Sequence, residues 1–229
     1  MFAELSKVMD HAIHDDVYLD SLNQNIANKK TKNNQEKTTG FLKQLYGFNL
    51  TDLSFRFFRF FWENTEANDR PLLTLLYAIR QDSLLAESYP VVANTKIGDR
   101  VTISKLEEHI EAQHPNHFSE NTRRSLAQNI ASSWKQAGFI TGKVKNIRTQ
   151  PKIGYHVVAF AFVLAYLNGE RGDFILSSKW AKALCLGDSQ LRELAIEAAR
   201  RDLLQYQYAG SVTAISFTNL FTKLKIDGI

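Results

Sequence analysis

The chain has 229 residues, 44% of them hydrophobic and 23% charged, which excludes a disulfide-stapled miniprotein and a globally disordered chain. Its single cysteine, Cys185, excludes an internal disulfide and a cysteine-built zinc site, and points to a reducing compartment, the cytoplasm. The net charge is 28 − 24 = +4, modest in sum but unevenly placed. Met1-Phe2-Ala3-Glu4 lacks the basic and apolar run of a secretory leader. The most apolar stretch, Val157 to Leu167, is too short to span a bilayer, which needs roughly 20 residues.

In chain order, Phe2, Leu5, Met9, Ala12 and Ile13 fall at helical spacing, so the first 27 residues read as an amphipathic docking arm. Asn28 to Gly40 has no apolar residue and reads as a flexible polar linker, which sets residues 1–40 apart as an N-terminal region. Thr51 to Trp62 is apolar nearly all round, with Phe55, Phe57, Phe58, Phe60 and Phe61. Such a helix must be buried among neighbours or packed on a partner chain. Asp69-Arg70-Pro71 starts a helix carried on through Leu72, Leu76 and Ile79. An extended run over Pro90 to Ala93 and a turn at Ile97-Gly98-Asp99 follow. Ser104-x-x-Glu107 then reads as a capping box opening a helix to about Gln113. Ser119 is the next N-cap, and Leu126, Ile130, Trp134 and Ala137 form the inward stripe of a helix that ends at Gly138. Phe139 to Lys152 suits a short basic hairpin.

The rest repeats this grammar. Helices are expected at Tyr155 to Leu167, Ser177 to Leu184 and Asp188 to Arg201. Two antiparallel strands follow, Leu203 to Tyr208 and Ser211 to Phe217, about a turn at Ala209-Gly210. The expected fold is therefore mainly α with small β-hairpins, holding two units of like layout in tandem, at 41–152 (with the Phe-rich helix) and 153–229.

Charge separates the two units. From Asn121 to Gly169 there are no acids, and Arg123, Arg124, Lys135, Lys143, Lys145, Arg148 and Lys152 give that 49-residue stretch +7. Phe174 to Phe217 carries only +1. Acid-free basic stretches signal nucleic acid or another anionic partner. With the inward stripe fixed, steps of about 100° place Asn121, Arg124, Ser125, Gln128, Ser132 and Lys135 on the solvent face. Arg forks onto guanine, Gln onto adenine, and Ser or Asn bonds phosphate, so Arg124 and Gln128 are the base-contact candidates. Arg123 lies nearer the core flank and is assigned to a phosphate. Lys143, Lys145, Arg148 and Lys152 on the hairpin are assigned to the backbone.

Helix, short helix, longer helix and hairpin over 71–152, carried by SKLEEHIEA, FSENTRRSLAQNIASSWKQAGFI and TGKVKNIRTQPK, resembles the winged helix-turn-helix family. That resemblance implies a third helix in the major groove of double-stranded DNA and a wing on its backbone. Ser119-Glu120-x-Thr122, Ala137-Gly138-Phe139-Ile140 and Arg148-x-Gln150-Pro151 also look like the C-terminal part of BrxA-type proteins, small DNA-binding components of BREX phage-defence systems. The resemblance implies a place in phage defence. The near-neutral second unit and the Phe-rich helix are expected to hold a protein partner or a second copy.

Other chemistries find little footing. His109, His114 and His117 have no completing cysteine or carboxylate and read as surface histidines, and His11 and His14 as solvated residues of an acidic helix end. Cys185, between Leu184 and Leu186, reads as a core residue. No phosphate-cradling glycine loop, G-x-S-x-G or H-E-x-x-H occurs, so no catalytic residue, metal or cofactor is expected. The alternative reading is a non-catalytic adaptor whose basic patch docks an acidic protein or RNA.

Overall fold

The computed structural model describes residues 2–210 and 212–226, in two compact units that divide between Glu66 and Ala67. The fold is mainly α with two small antiparallel hairpins. The division falls neither at residue 40 nor at 152, and each unit owes its integrity to a different kind of core.

The N-terminal unit contains α1 (Phe2–Ala12), α2 (Tyr18–Asn23), α3 (Lys32–Tyr46) and α4 (Leu53–Asn64). Asp52 caps α4 by accepting from the Ser54 N–H, and Phe55, Phe58 and Trp62 behind that cap are buried. Phe55 meets Tyr18 edge-on at 5.2 Å and Phe58 stacks on Tyr46 at 5.9 Å. Trp62 Nε1 donates to Asp10 Oδ1 at 3.1 Å, and Arg59 donates to the Ile13 carbonyl at 2.8 Å while pairing with Asp16. The residues expected to form a docking arm are therefore core: Leu5, Val8, Met9 and Ala12 are fully buried. The run breaks into two helices at Asp16, which takes a positive φ of 59°. Asn28 to Gly40 is likewise no linker beyond Lys30. Thr31 accepts from the Asn34 N–H and starts a 15-residue helix that Leu42 and Tyr46 anchor at its far end. Composition missed it because the anchoring residues lie after the polar run.

The C-terminal unit begins with α5 (Arg70–Gln81), α6 (Ser83–Glu87) and α7 (Tyr89–Ala93). Pro90, expected in an extended run, instead sits in the first turn of α7, where its missing N–H breaks no helical bond. Next come α8 (Ile103–Gln113), α9 (Glu120–Gln136) and the strands β1 (Ile140–Thr141) and β2 (Ile147–Arg148). The cap of α8 is Thr102, accepting from the Lys105 N–H, while Ser104, the expected cap two residues later, turns its hydroxyl to Glu108.

After α10 (Tyr155–Leu167) follow α11 (Asp173–Leu176), α12 (Lys179–Ala183), α13 (Asp188–Ala199), β3 (Gln205–Ala209), β4 (Val212–Ser216) and α14 (Thr218–Lys223). β3 and β4 pair from Gln205↔Ser216 to Ala209↔Val212. Gly210 in their turn has a φ of +63°, and Ser211, expected to open the second strand, lies outside the described residues.

Helix α10 is buried from Val157 to Ala165 and packs against α5, α12 and α13. Two indole N–H groups fix the helices around it. Trp180 Nε1 donates to the Leu76 carbonyl of α5 at 3.1 Å, and Trp134 Nε1 of α9 donates to Ser88 Oγ at 2.8 Å. The two motifs of like layout thus share one core. Among the described residues no helix is long and apolar enough to cross a membrane.

Two buried hydroxyls of the N-terminal unit, those of Tyr18 and Thr65, are left unsatisfied among the described residues. Tyr18 is 1% exposed, and its hydroxyl has no hydrogen-bond partner among the described residues; burial pushes its pKa upward. An unpaired buried hydroxyl costs about 1–3 kcal/mol. Tyr18→Phe is therefore expected to hold or raise the thermal midpoint, whereas Tyr18→Ala lowers it by removing the ring from Phe48 and Phe55. Thermal unfolding followed by circular dichroism checks both.

Candidate nucleic-acid interface

Helices α8 and α9 pack together across the turn 114–118. Asn116 takes a φ of 58° there, and its N–H donates to Glu111 Oε1 at 2.9 Å. Ser119 starts α9 by accepting from the Thr122 N–H at 3.3 Å. The helix ends in a Schellman motif: Gly138 donates to the Lys135 carbonyl and Phe139 to the Trp134 carbonyl, with the two rings edge to face at 5.1 Å. Gly138 has a φ of +86°, and a Cβ there stands 3.2 Å from Pro151.

These caps set the rotation of α9 about its axis. Ala127, Ile130, Ala131, Trp134 and Ala137 face inward, and Leu126 is half-buried. Asn121, Arg124, Ser125, Gln128 and Ser132 are exposed, with Lys135 half-buried at the end of the same face. Ser125 donates to the Asn121 carbonyl, and Gln136 donates to the Ser132 hydroxyl. Arg124, Gln128 and Lys135 make no side-chain hydrogen bond or ion pair with the described residues. Glu120, one turn before Arg124, forms the acidic first turn where the helix dipole favours it.

Two of the expected phosphate ligands have other work. Arg123 pairs with Glu111 and ties α9 to α8, so its charge is neutralised within the protein. Arg148 is 3% exposed: Nε donates to the Val92 carbonyl at 2.9 Å, Nη2 to Gln150 Oε1 at 2.8 Å, and Nη1 to the Thr149 carbonyl. Its place among the lysines of the hairpin concealed this, because a two-stranded hairpin packed on one side buries the residues that face that side.

The rest of the hairpin is exposed. Lys143, Lys145 and Lys152 are solvent-facing and unpaired among the described residues, and Val144 between the first two is 90% exposed. Gly142, at φ +94°, makes this projection possible: a Cβ there lands 2.2 Å from the Lys145 carbonyl oxygen. β1 and β2 pair through Ile140↔Arg148 and Thr141↔Ile147. A third segment joins them, with an antiparallel bridge Arg100↔Ile147 and hydrogen bonds from Gly98 to the Arg148 carbonyl, from Arg148 to Asp99 and from Val101 to Asn146. It brings two exposed cations, Lys96 and Arg100, to the hairpin, beside the acid Asp99. The sequence reading missed both, since a single bridge leaves no strand-length pattern; Arg100 exposed beside buried Val101 is the only trace.

The remaining polar clusters hold structure. His109 Nε2 lies 2.7 Å from the Glu87 carbonyl, His114 Nε2 lies 2.7 Å from the Glu87 carboxylate, and His11 shares a hydrogen bond with Ser21. No group of three metal-ligating side chains gathers among the described residues. Cys185 lies beside Arg148. Burial pushes its thiol up to about 11, against the opposing pull of that guanidinium, which disfavours the thiolate.

The equivalent helix of the second motif is occupied differently. Arg192 of α13 donates to Tyr206 Oη, Thr213 Oγ1 and Asp173 Oδ1 at 2.8–3.0 Å and lies over the Tyr208 ring. The Thr213 hydroxyl and Arg192 hold the Asp173 carboxyl below its ordinary range. The exposed face beside it mixes signs, with Glu193, Ile196, Glu197, Arg200 and Arg201 around a shallow groove.

In comparisons with known proteins, the chain matches no family model, no curated protein and no solved structure.

Burial and exposure separate the two classes of cation experimentally. Arg148→Gln strips buried carbonyls of their donors and is expected to cost about 1–3 kcal/mol. Lys145→Gln at the exposed turn is expected to stay within about 0.5 kcal/mol of the parent. Urea unfolding of the two variants checks the contrast.

Proposed function

We propose that the chain is a non-catalytic double-stranded DNA-binding protein that uses α8, α9 and the β1–β2 hairpin as a winged helix-turn-helix. The observation that carries this reading is the set of exposed cations without protein partners, Arg124, Lys143, Lys145 and Lys152, placed on α9 and its hairpin with half-buried Lys135 and no acid between them. A solvated face ordinarily mixes signs, as α13 does. The pairing of residues 98–101 with β2 adds support, because a third short strand braces the hairpin against the helix pair.

In this reading α9 enters the major groove, Arg124 and Gln128 meet base edges, and Asn121, Ser125 and Ser132 bond phosphate oxygens. Lys135, Lys143, Lys145 and Lys152 neutralise the backbone, joined by Lys96 and Arg100. Arg123 and Arg148 orient the helix and the hairpin from within. The mixed-sign face of α13 supports a protein partner or a second copy there rather than a second DNA reader. The resemblance to BrxA-type proteins extends the proposal to an accessory role in phage defence or another DNA-transacting system.

Fluorescence anisotropy with random-sequence duplex DNA at two salt concentrations tests the reading. Five to seven phosphate contacts give log K against log salt a slope of about −4.5 to −6. Arg124→Ala/Lys145→Ala is expected to weaken binding and flatten that slope by about one, the share of the Lys145 phosphate contact. Absence of duplex binding at low salt overturns the proposal, and a preference for single strands or RNA moves the basic face to another partner, since A-form duplexes close the major groove to a helix.

A further inference from the structure

We propose a second nucleic-acid contact in the N-terminal unit: the solvent face of α3, built from Asn33, Lys37, Gly40, Phe41 and Gln44 and flanked by Lys30 and Lys43, which takes the sugar-phosphate backbone of duplex DNA. It stands independently of the assignment of α9.

Charge is the first ground. Residues 1–66 hold 8 basic and 9 acidic side chains, yet 29–43 alone holds five lysines against Glu36, leaving the remainder of the unit at −5. Two of those lysines are engaged, Lys29 with Glu4 at 2.6 Å and Lys32 with Glu36 at 4.0 Å. Lys30, Lys37 and Lys43 are exposed and have no partner among the described residues. The acids Asp10, Asp15, Asp16 and Asp20 sit on or between α1 and α2, so the unit's unpaired lysines and these acids belong to different elements.

Residue type and rotation are the second. With Leu42 and Tyr46 buried, steps of 100° put Asn33, Lys37, Gly40 and Gln44, at i, i+4, i+7 and i+11, in one line on the opposite face. Phe41 stands beside that line, 54% exposed. Amide and ammonium donors bond phosphate oxygens, and an aromatic ring covers the apolar face of a sugar.

The glycine is the third ground and the least expected. Gly40 lies inside α3 with nothing within 4 Å of the place a Cβ takes, so no packing demands a glycine there. Glycine weakens a helix relative to alanine, and its common use is to let another backbone come close. Here it bares the helix in the middle of the polar line, between Lys37 and Gln44. A phosphate chain seated on that line gives the missing side chain a purpose.

The full-length chain and a labelled 30-base-pair duplex test this by anisotropy across a salt series, with circular dichroism to confirm folding. Lys30→Gln/Lys37→Gln/Lys43→Gln is expected to bind roughly ten-fold more weakly and to lose about three from the salt slope. Gly40→Ala, which changes no charge, is expected to melt at a higher temperature while binding several-fold more weakly. Wild-type affinity in either variant overturns the proposal. The α9 reading fails separately: Arg124→Ala/Lys145→Ala then binds as the parent does while the lysine triple does not, and the reverse pattern removes α3 and leaves α9.

Discussion

A guanidinium withdrawn from water holds the C-terminal unit in register. Arg148 ends β2, yet its three nitrogens reach the Val92, Thr149 and Gln150 oxygens, and the Gln150 amide passes the connection on to the Leu184 carbonyl at 3.0 Å. One side chain therefore joins α7, the hairpin and the end of α12. Burial lowers its pKa, but an arginine stays charged at any pH a protein survives, so the cost of desolvation is met by oxygen acceptors rather than by deprotonation. The neighbouring Thr149 hydroxyl donates to the Gly138 carbonyl at 2.8 Å and brings the exit of α9 into the same clasp. What α9 and the hairpin present to solvent follows from this anchoring.

The long periodic elements were legible before the structure. The inward stripe of α9, its Ser119 cap and its glycine exit, the buried α10 and both hairpins follow from spacing of 3.6 and 2. Short elements were not: Tyr89–Ala93 is a single helical turn, and its proline reads equally as the start of a helix or as an extended segment. Asn28 to Gly40 was misread because composition averages over a window, while one threonine cap and two apolar residues beyond the window decide the matter. The candidate site was legible in its outline and not in its membership. Charge counting treats seven cations alike, and only three-dimensional neighbours reveal that Arg123 faces Glu111 and Arg148 faces carbonyls. Lys96 and Arg100 were lost for the opposite reason, being distant in sequence from the hairpin they join.

The two motifs of the C-terminal unit show how one layout carries opposite surface chemistry. In both, a helix is followed by a hairpin and an arginine bonds groups beyond its own helix. Arg123 looks back to the preceding helix, whereas Arg192 looks forward to the hairpin and is fully engaged by a tyrosine, a threonine and an aspartate. The first arrangement leaves the outer face of its helix to unpaired cations. The second fixes hairpin to helix and leaves a face of balanced charge around an exposed isoleucine. Shared architecture in a single core thus does not transmit a shared surface charge.

The lone thiol gives the molecule a built-in gauge. Cys185 is the only sulfhydryl in the chain, it belongs to the C-terminal unit, and burial beside Arg148 holds it largely protonated at neutral pH. Alkylating reagents attack the thiolate, so in the native protein the reaction runs slowly, and every opening of the clasp restores an ordinary, faster-reacting cysteine. Because the N-terminal unit has no thiol, the labelling rate tracks the breathing of one unit and is silent about the other.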